Sequence, residues 1–164
     1  MSNELSLKVM ETTINEEQKF LCTFVSHDLI FKHGLIGSVI VGEVDKLDNG
    51  DFDFDSGFRA NSLFKETIFN FVQNIMINDS GLIEAAKQQN EGWVHIIDQR
   101  TKTPQGEVPA YDIIGGFKVE NKELKSFSEN PNYQIRSENG FTNFGKSLNS
   151  KMNDFLENLL LKNA

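Results

Sequence analysis

Cysteine is all but missing from this chain of 164 residues, which carries only Cys22. A lone thiol excludes an internal disulfide framework and fits a reducing compartment. Its neighbours Phe20, Leu21, Phe24 and Val25 mark it as a small buried hydrophobe rather than a nucleophile. Long apolar runs are missing too: none approaches the roughly 20 residues that cross a bilayer. The opening MSNELSLKVMETTINEEQKF has no basic start followed by an apolar stretch, so it does not read as a secretory signal. The expectation is a soluble, cytoplasmic protein that makes no use of a membrane.

Positive charge is scarce. Sixteen Lys and Arg face 24 Asp and Glu, giving a net charge of −8 and a pI near 4.9. Such a chain repels phosphate backbones, which disfavours nucleic-acid binding, and it attracts a basic partner. Solubility alone accounts for the same charge. Histidine is equally sparse, and His27, His33 and His95 form no metal-binding spacing. His95 shares a predicted strand face with Ile97, so burial beside a hydrogen-bond partner is expected. No G-x-S-x-G elbow is present and Cys22 has no base nearby in sequence. Neither a metal nor a cofactor is expected.

What remains is enough for a core. Hydrophobic residues make up 38% of the chain, and 14 Phe against one Trp and two Tyr favour buried aromatics. The length suits one domain, expected over residues 14–164 after a flexible polar segment, 1–13. Asn15-Glu16-Glu17-Gln18 has the form of a helix entry, although the following FLCTFV also suits a strand. SHDLIFKHG predicts a two-turn helix capped by Ser26 and stopped at Gly34. IGSVIVGEV predicts a strand. Phe64, Ile68, Phe71, Val72, Ile75 and Met76 form a helical stripe over 62–77. A weaker helix, capped by Asp79 or Ser80, directs Leu82, Ile83, Ala85 and Ala86 inward. Residues 93–98 and 113–119 read as strands, the latter turning at 120–123 into 124–127 as an antiparallel hairpin. Residues 101–109 and 128–146 read as loops. Leu148, Met152, Phe155, Leu156, Leu159 and Leu160 mark a closing amphipathic helix. This order predicts an α+β fold, a small mainly antiparallel sheet packed against helices in a single domain.

Three stretches invite a chemical reading. GFTNFGKS, Gly140 to Ser147, fits the phosphate-loop pattern G-x-x-x-x-G-K-[ST]. The polar QIRSEN before it stands where a buried parallel strand is required, so it reads as a lead-in to the last helix. DFDFDSG places Asp51, Asp53 and Asp55 at alternate positions, as a calcium loop opens, but Ser56 and Ser62 stand where that loop needs Gly and Glu. A strand with one wet face accounts for the alternation equally well. In IIDQRTKTPQGEVPAYDIIGGF, Asp98 and Arg100 leave a buried strand and Tyr111 and Asp112 return to the next. Polar groups at strand ends favour a binding site, whereas pairing of Arg100 with Asp98 or Asp112 would merely pin the loop.

Two functions follow as expectations. The first is a non-enzymatic acidic module, in its most concrete form an immunity or antitoxin-like inhibitor, that captures a protein with a basic surface through Asp98, Arg100, Tyr111, Asp112, Asp51, Asp53 and Asp55. The second is a small hydrolase acting on an anionic metabolite, with Asp98 or Asp112 as acid–base group and Arg100 as anion clamp.

Overall fold

Each strand is antiparallel to the neighbour it pairs with. The structure is a computed structural model that describes residues 5–102 and 106–162. The α+β class is the expected one, but the strands lie in three sheets rather than one. β1 (Lys8–Ile14), β2 (Glu17–Thr23), β3 (Ile40–Val44) and β4 (Phe58–Ala60) form one sheet in that order. β5 (Glu91–Ile97), β6 (Ile113–Glu120) and β7 (Glu123–Glu129) form a second, and β8 (Arg136–Ser137) with β9 (Gly140–Phe141) form a ribbon. The helices are α1 (His27–His33), α2 (Ser62–Asn74), α3 (Ser80–Lys87) and α4 (Lys146–Lys162). Two compact units contain these elements. One comprises residues up to 67 and from 149 onward, the other residues 68–148.

In the first unit the N-terminal expectation is corrected. Residues 8–14 are not loose, and Asn15 to Gln18 do not open a helix. Asn15 (φ +52°) and Glu16 (φ +67°) form a two-residue turn between β1 and β2. Two successive positive φ angles match the twist of a hairpin. β1 is polar because it is the sheet's edge strand, open to solvent on one side. Its pairing with β2 runs in unbroken register over seven residues on each strand, with alternate residues of β1 turning their backbone groups to β2 and the others to solvent.

Local signals held where they were strong. Ser26 Oγ accepts from the Leu29 amide at the start of α1, and Gly34 (φ +86°) ends it. Cys22 is fully buried, and burial pushes its thiol up to about 11, the behaviour of an inert core residue. Val39, Val41, Val44 and Phe64 are buried in this unit, as are Met152, Leu156 and Leu160 of α4.

Asp51 to Gly57 is not the alternating strand expected. Only Phe52 bridges back, to Lys46, before the chain turns. Asp53 accepts the Ser56 amide on its carboxylate at 3.0 Å and the Gly57 amide on its carbonyl at 2.9 Å. Curling the backbone this way lines up Phe20, Phe52, Phe54 and Phe58 with successive centroids 5.4, 6.3 and 6.5 Å apart, the first pair edge to face and the other two tilted.

In the second unit, Asp79 caps α3 by accepting from Leu82 N at 3.1 Å. Ala86, Val94 and Val119 form a cluster against which Leu82, Ala85 and Leu124 pack. Ile83 points outward instead of inward. Phe117 and Phe127 meet across β6 and β7 with centroids 5.2 Å apart. That hairpin turns through Asn121 (φ +51°) and Lys122 (φ +64°).

Glu16 and Lys122 occupy backbone positions that suit glycine. Left-handed geometry costs an L-residue roughly 1–2 kcal/mol, and glycine's extra freedom in the unfolded chain costs about 0.5–1 kcal/mol. Glu16→Gly and Lys122→Gly are each expected to raise stability by about 0.5–1 kcal/mol. Urea denaturation checks this; a loss of stability in both would show that these turns are not strained.

Candidate functional site

β5 ends at Ile97, where the chain leaves the sheet, and β6 begins at Ile113, where it re-enters. Asp98 and Asp112 flank these ends, and the Asp98 amide donates to the Asp112 carbonyl at 2.8 Å. One backbone bond thus seats both acids together. Arg100 folds back from the loop between them. All three side chains are inside the protein: Asp98 and Asp112 are 0% exposed and Arg100 3%.

The Arg100 guanidinium has five N–H donors, and each meets an acceptor. Nε donates to Asp112 Oδ1 at 2.8 Å. Nη1 donates to the carbonyls of Ile135 (2.7 Å) and Gly140 (2.9 Å). Nη2 donates to the carbonyls of Tyr111 (3.1 Å) and Gln134 (2.5 Å). Asp98 Oδ2 lies 3.8 Å from Nε, and the guanidinium sits 5.3 Å from the Tyr133 ring centroid. This stacking adds a cation–π contact to the charge pairing.

The carboxylates are equally occupied. Asp98 Oδ1 accepts from the amides of Arg100 and Asn143, both at 3.1 Å, and Oδ2 accepts from Tyr133 Oη at 2.7 Å. Asp112 Oδ1 also accepts from Ser137 Oγ at 2.8 Å, and Oδ2 from Asn139 Nδ2 at 2.7 Å. Two acids against one base leave an excess negative charge, which the surrounding O–H and N–H donors offset. Burial pushes the Asp98 carboxyl above its usual range, against the opposing pull of Arg100 and Tyr133. Burial acts in the same sense on Asp112. There the hydrogen bonds from Asn139, Ser137 and Arg100 outweigh it and hold the carboxyl below its usual range. Tyr133, buried beside Asp98, is held well above the usual phenol range.

Of the residues expected at this site, the structure brings Asp98, Arg100 and Asp112 together. Tyr111 contributes its carbonyl, while its hydroxyl donates to Glu138 Oε1 at 2.5 Å. Asp51, Asp53 and Asp55 belong to the first unit and take no part in this network. Asp51 and Asp55 are exposed and Asp53 half-buried. The sequence reading missed Tyr133, Ser137, Asn139, Thr142 and Asn143, all in the stretch read as a loop. The available signal was the Asn139-Gly140 pair, a hairpin marker inside a polar segment that also carries Tyr133, Ile135 and Phe141.

GFTNFGKS is confirmed as a helix lead-in by what its amides do. Gly140 lies in β9, the Thr142 amide donates to the Ile135 carbonyl at 2.9 Å, and the Asn143 amide donates to Asp98. The Gly145 amide donates to Asn143 Oδ1 at 2.9 Å, and α4 starts at Lys146. A phosphate cradle needs such amides free. His95 corrects another expectation: it is exposed, on the sheet face opposite Val94 and Ile96. Among the described residues, no group of three or more His, Cys, Asp or Glu is placed to hold a metal ion, and no helix is long and apolar enough to cross a membrane.

Arg100→Lys keeps the charge but offers three donors to five acceptors. Its expected cost is about 3–5 kcal/mol, the range for disrupting a buried ion pair, and Asp112→Asn is expected to cost about as much at neutral pH. The pH dependence has a sign. Because Asp112 is held low, its ionised form stabilises the fold above the ordinary Asp value of about 3.9, and that contribution is lost as pH falls through the lowered value. Asp98 acts oppositely, its contribution falling as pH rises through its raised value. The penalty of Asp112→Asn should therefore shrink in acid, measured by urea denaturation across pH; a penalty constant with pH would contradict the assignment. No protein-family model matches the chain, and no curated protein or solved structure is significantly similar to it.

Proposed function

We infer that this protein works by binding a basic protein partner rather than by catalysis. The observation that carries the reading is the state of Arg100: all five of its donors are taken by the chain's own acceptors. An anion clamp needs at least one donor pointed at a substrate, and acid–base catalysis needs a carboxyl within hydrogen-bond reach of one. Asp98 and Asp112 are sealed from solvent. What reaches solvent instead is acidic, including Asp45, Asp48, Asp51 and Asp55 around the β3–β4 turn. In a chain of net charge −8, that surface accelerates encounter with a basic partner and selects it by charge. An immunity or antitoxin-like inhibitor of a basic protein is the most concrete form of this function.

A specific observation favours the hydrolase as the second reading. Asp98, Arg100 and Asp112 do lie within reach of one another, with Arg100 between the two acids, and burial raises the Asp98 carboxyl as a general acid requires. For turnover, the loops carrying Tyr111 and 134–140 would have to release the guanidinium to a substrate.

One experiment separates the two. Affinity capture from the native cell at about 150 mM salt should retain a partner with a pI above about 9. Reconstituted from purified components, the complex should weaken on combined Asp51→Asn, Asp53→Asn and Asp55→Asn substitution. Recovery of the protein alone, together with hydrolysis of a phosphorylated or carboxylated metabolite that Asp98→Asn abolishes in a still-folded protein, would replace this reading with the catalytic one.

A further inference from the structure

The outer face of the β5–β6–β7 sheet presents Trp93, the chain's single tryptophan, with 46% of its surface exposed. His95 stands on the same face, opposite Gly116, and Ser128 follows on the far side of Gly116. These residues line an open groove of about 350 Å³ with Glu129, Asn130 and Pro131 along its end. That volume lies at the small end of ligand sites, which run from about 300 to 1,000 Å³.

Gly116 makes the floor. A Cβ there would stand 3.3 Å from His95 Nδ1 and 3.4 Å from Trp93 Cε3, so any side chain would crowd the two rings and fill the space between them. The rim is fixed in place. Asn130 Nδ2 donates to the carbonyls of Ala110 and Ile113, both at 2.8 Å, while its Oδ1 accepts the Asn132 amide at 3.1 Å. A bare floor, an indole wall and a fixed rim form a preorganised slot, and preorganisation lowers the cost of binding.

Charge decides the occupant. Among the described residues, Glu129 is the one carboxylate lining the groove; it is exposed and has no ion-pair partner there. Lys118, opposite Trp93 in the strand register, is engaged with Glu120 at 3.3 Å and does not line the groove. An indole face and an unopposed carboxylate around an apolar slot suit a cation with an aliphatic stem. We propose that this groove seats an arginine side chain of the basic partner, its stem over Gly116, its guanidinium against Trp93 and its charge directed to Glu129. Arginine is preferred to lysine because its planar, weakly hydrated head stacks on an aromatic face. The inference rests on the binding function proposed above and assigns it a position.

Trp93 makes the site self-reporting, since all tryptophan emission of the protein arises there. The test titrates the intact protein at low salt with a labelled arginine–glycine repeat peptide and with its lysine, leucine and glutamate counterparts. Peptide anisotropy and Trp93 emission are read together. The expected result is that the arginine peptide binds most tightly and quenches Trp93. Glu129→Gln should weaken it roughly two- to fivefold, the factor for one exposed charge pair. Gly116→Ala should weaken it as well, and Glu129→Gln, a surface change, keeps the test valid if the glycine variant folds poorly. Arginine binding that leaves Trp93 emission unchanged would overturn the groove while leaving the basic-partner function standing. A leucine peptide that binds equally well would make the slot merely apolar. No binding of any cationic peptide would overturn both.

Discussion

The five N–H groups of Arg100 and the five acceptors around them carry the organisation of the second unit. Four of those acceptors are backbone carbonyls, from Tyr111, Gln134, Ile135 and Gly140. Buried carbonyls normally find partners in helices or sheet ladders. Residues 130–145 have almost no ladder, only the two-residue strands β8 and β9. Their carbonyls are nonetheless drawn inward, alongside the buried Tyr133, Ile135 and Thr142. A single planar fork of donors does for this irregular segment what a neighbouring strand would do for a regular one. Asp112 and Asp98 then hold the fork, and Tyr133, Ser137, Asn139 and two backbone amides hold the acids. The network makes sense only as a whole, because removing one member leaves a buried charge or carbonyl without a partner.

The same completeness shapes what the protein can do. A reactive site keeps some of its hydrogen-bonding capacity open for a substrate, and this cluster keeps none on Arg100. Its raised Asp98 carboxyl is accounted for by burial alone, as happens in structural ion-pair networks as well as in catalytic ones. Under the binding function proposed above, the surfaces that the cluster supports are the ones that act. Gln134 and Ile135, which it anchors, follow Pro131 at the end of the Trp93 groove, and Asp112 precedes Ile113 in that groove's lining.

The sequence disclosed the elements whose signals are local. Caps at Ser26 and Asp79, the stop at Gly34 and the apolar stripes of α2 and α4 depend on residues within a few positions of one another. Asn15 to Gln18 misled because the same letters serve two purposes: Asn caps helices and also tolerates the positive φ of a hairpin turn. Only the partner strand decides between them. His95 misled because alternation along a strand fixes which residues share a face and not which face is buried. At the candidate site, Asp98, Arg100 and Asp112 were legible as polar residues leaving and re-entering a sheet. Tyr133 was not, since its bond to Asp98 joins residues 35 positions apart, and nothing in PNYQIRS signals burial. The acceptors that Arg100 meets come from Tyr111, Asp112, Gln134, Ile135 and Gly140, too far along the chain for any local pattern to mark them.

Aromatic economy connects this architecture to the proposed binding face. The chain holds 14 phenylalanines, and eleven of the rings, from Phe20 to Phe144, pack against one another within the two units. Phenylalanine suits such interiors because it asks for no hydrogen bond, whereas a buried indole must place its N–H. Tyr133 is buried only because Asp98 and Thr142 receive its hydroxyl. The single tryptophan stands outside, where indole is most useful: a broad apolar surface with a polar edge, enriched at the centres of protein interfaces. Phe31, 83% exposed on the short α1, shows that exposure of an aromatic ring does not by itself define a site. Trp93 differs in its setting, with a side-chain-free glycine beside it, a fixed rim and an acid within the same groove. That conjunction, rather than exposure alone, gives the sheet face a chemistry to match with a basic partner.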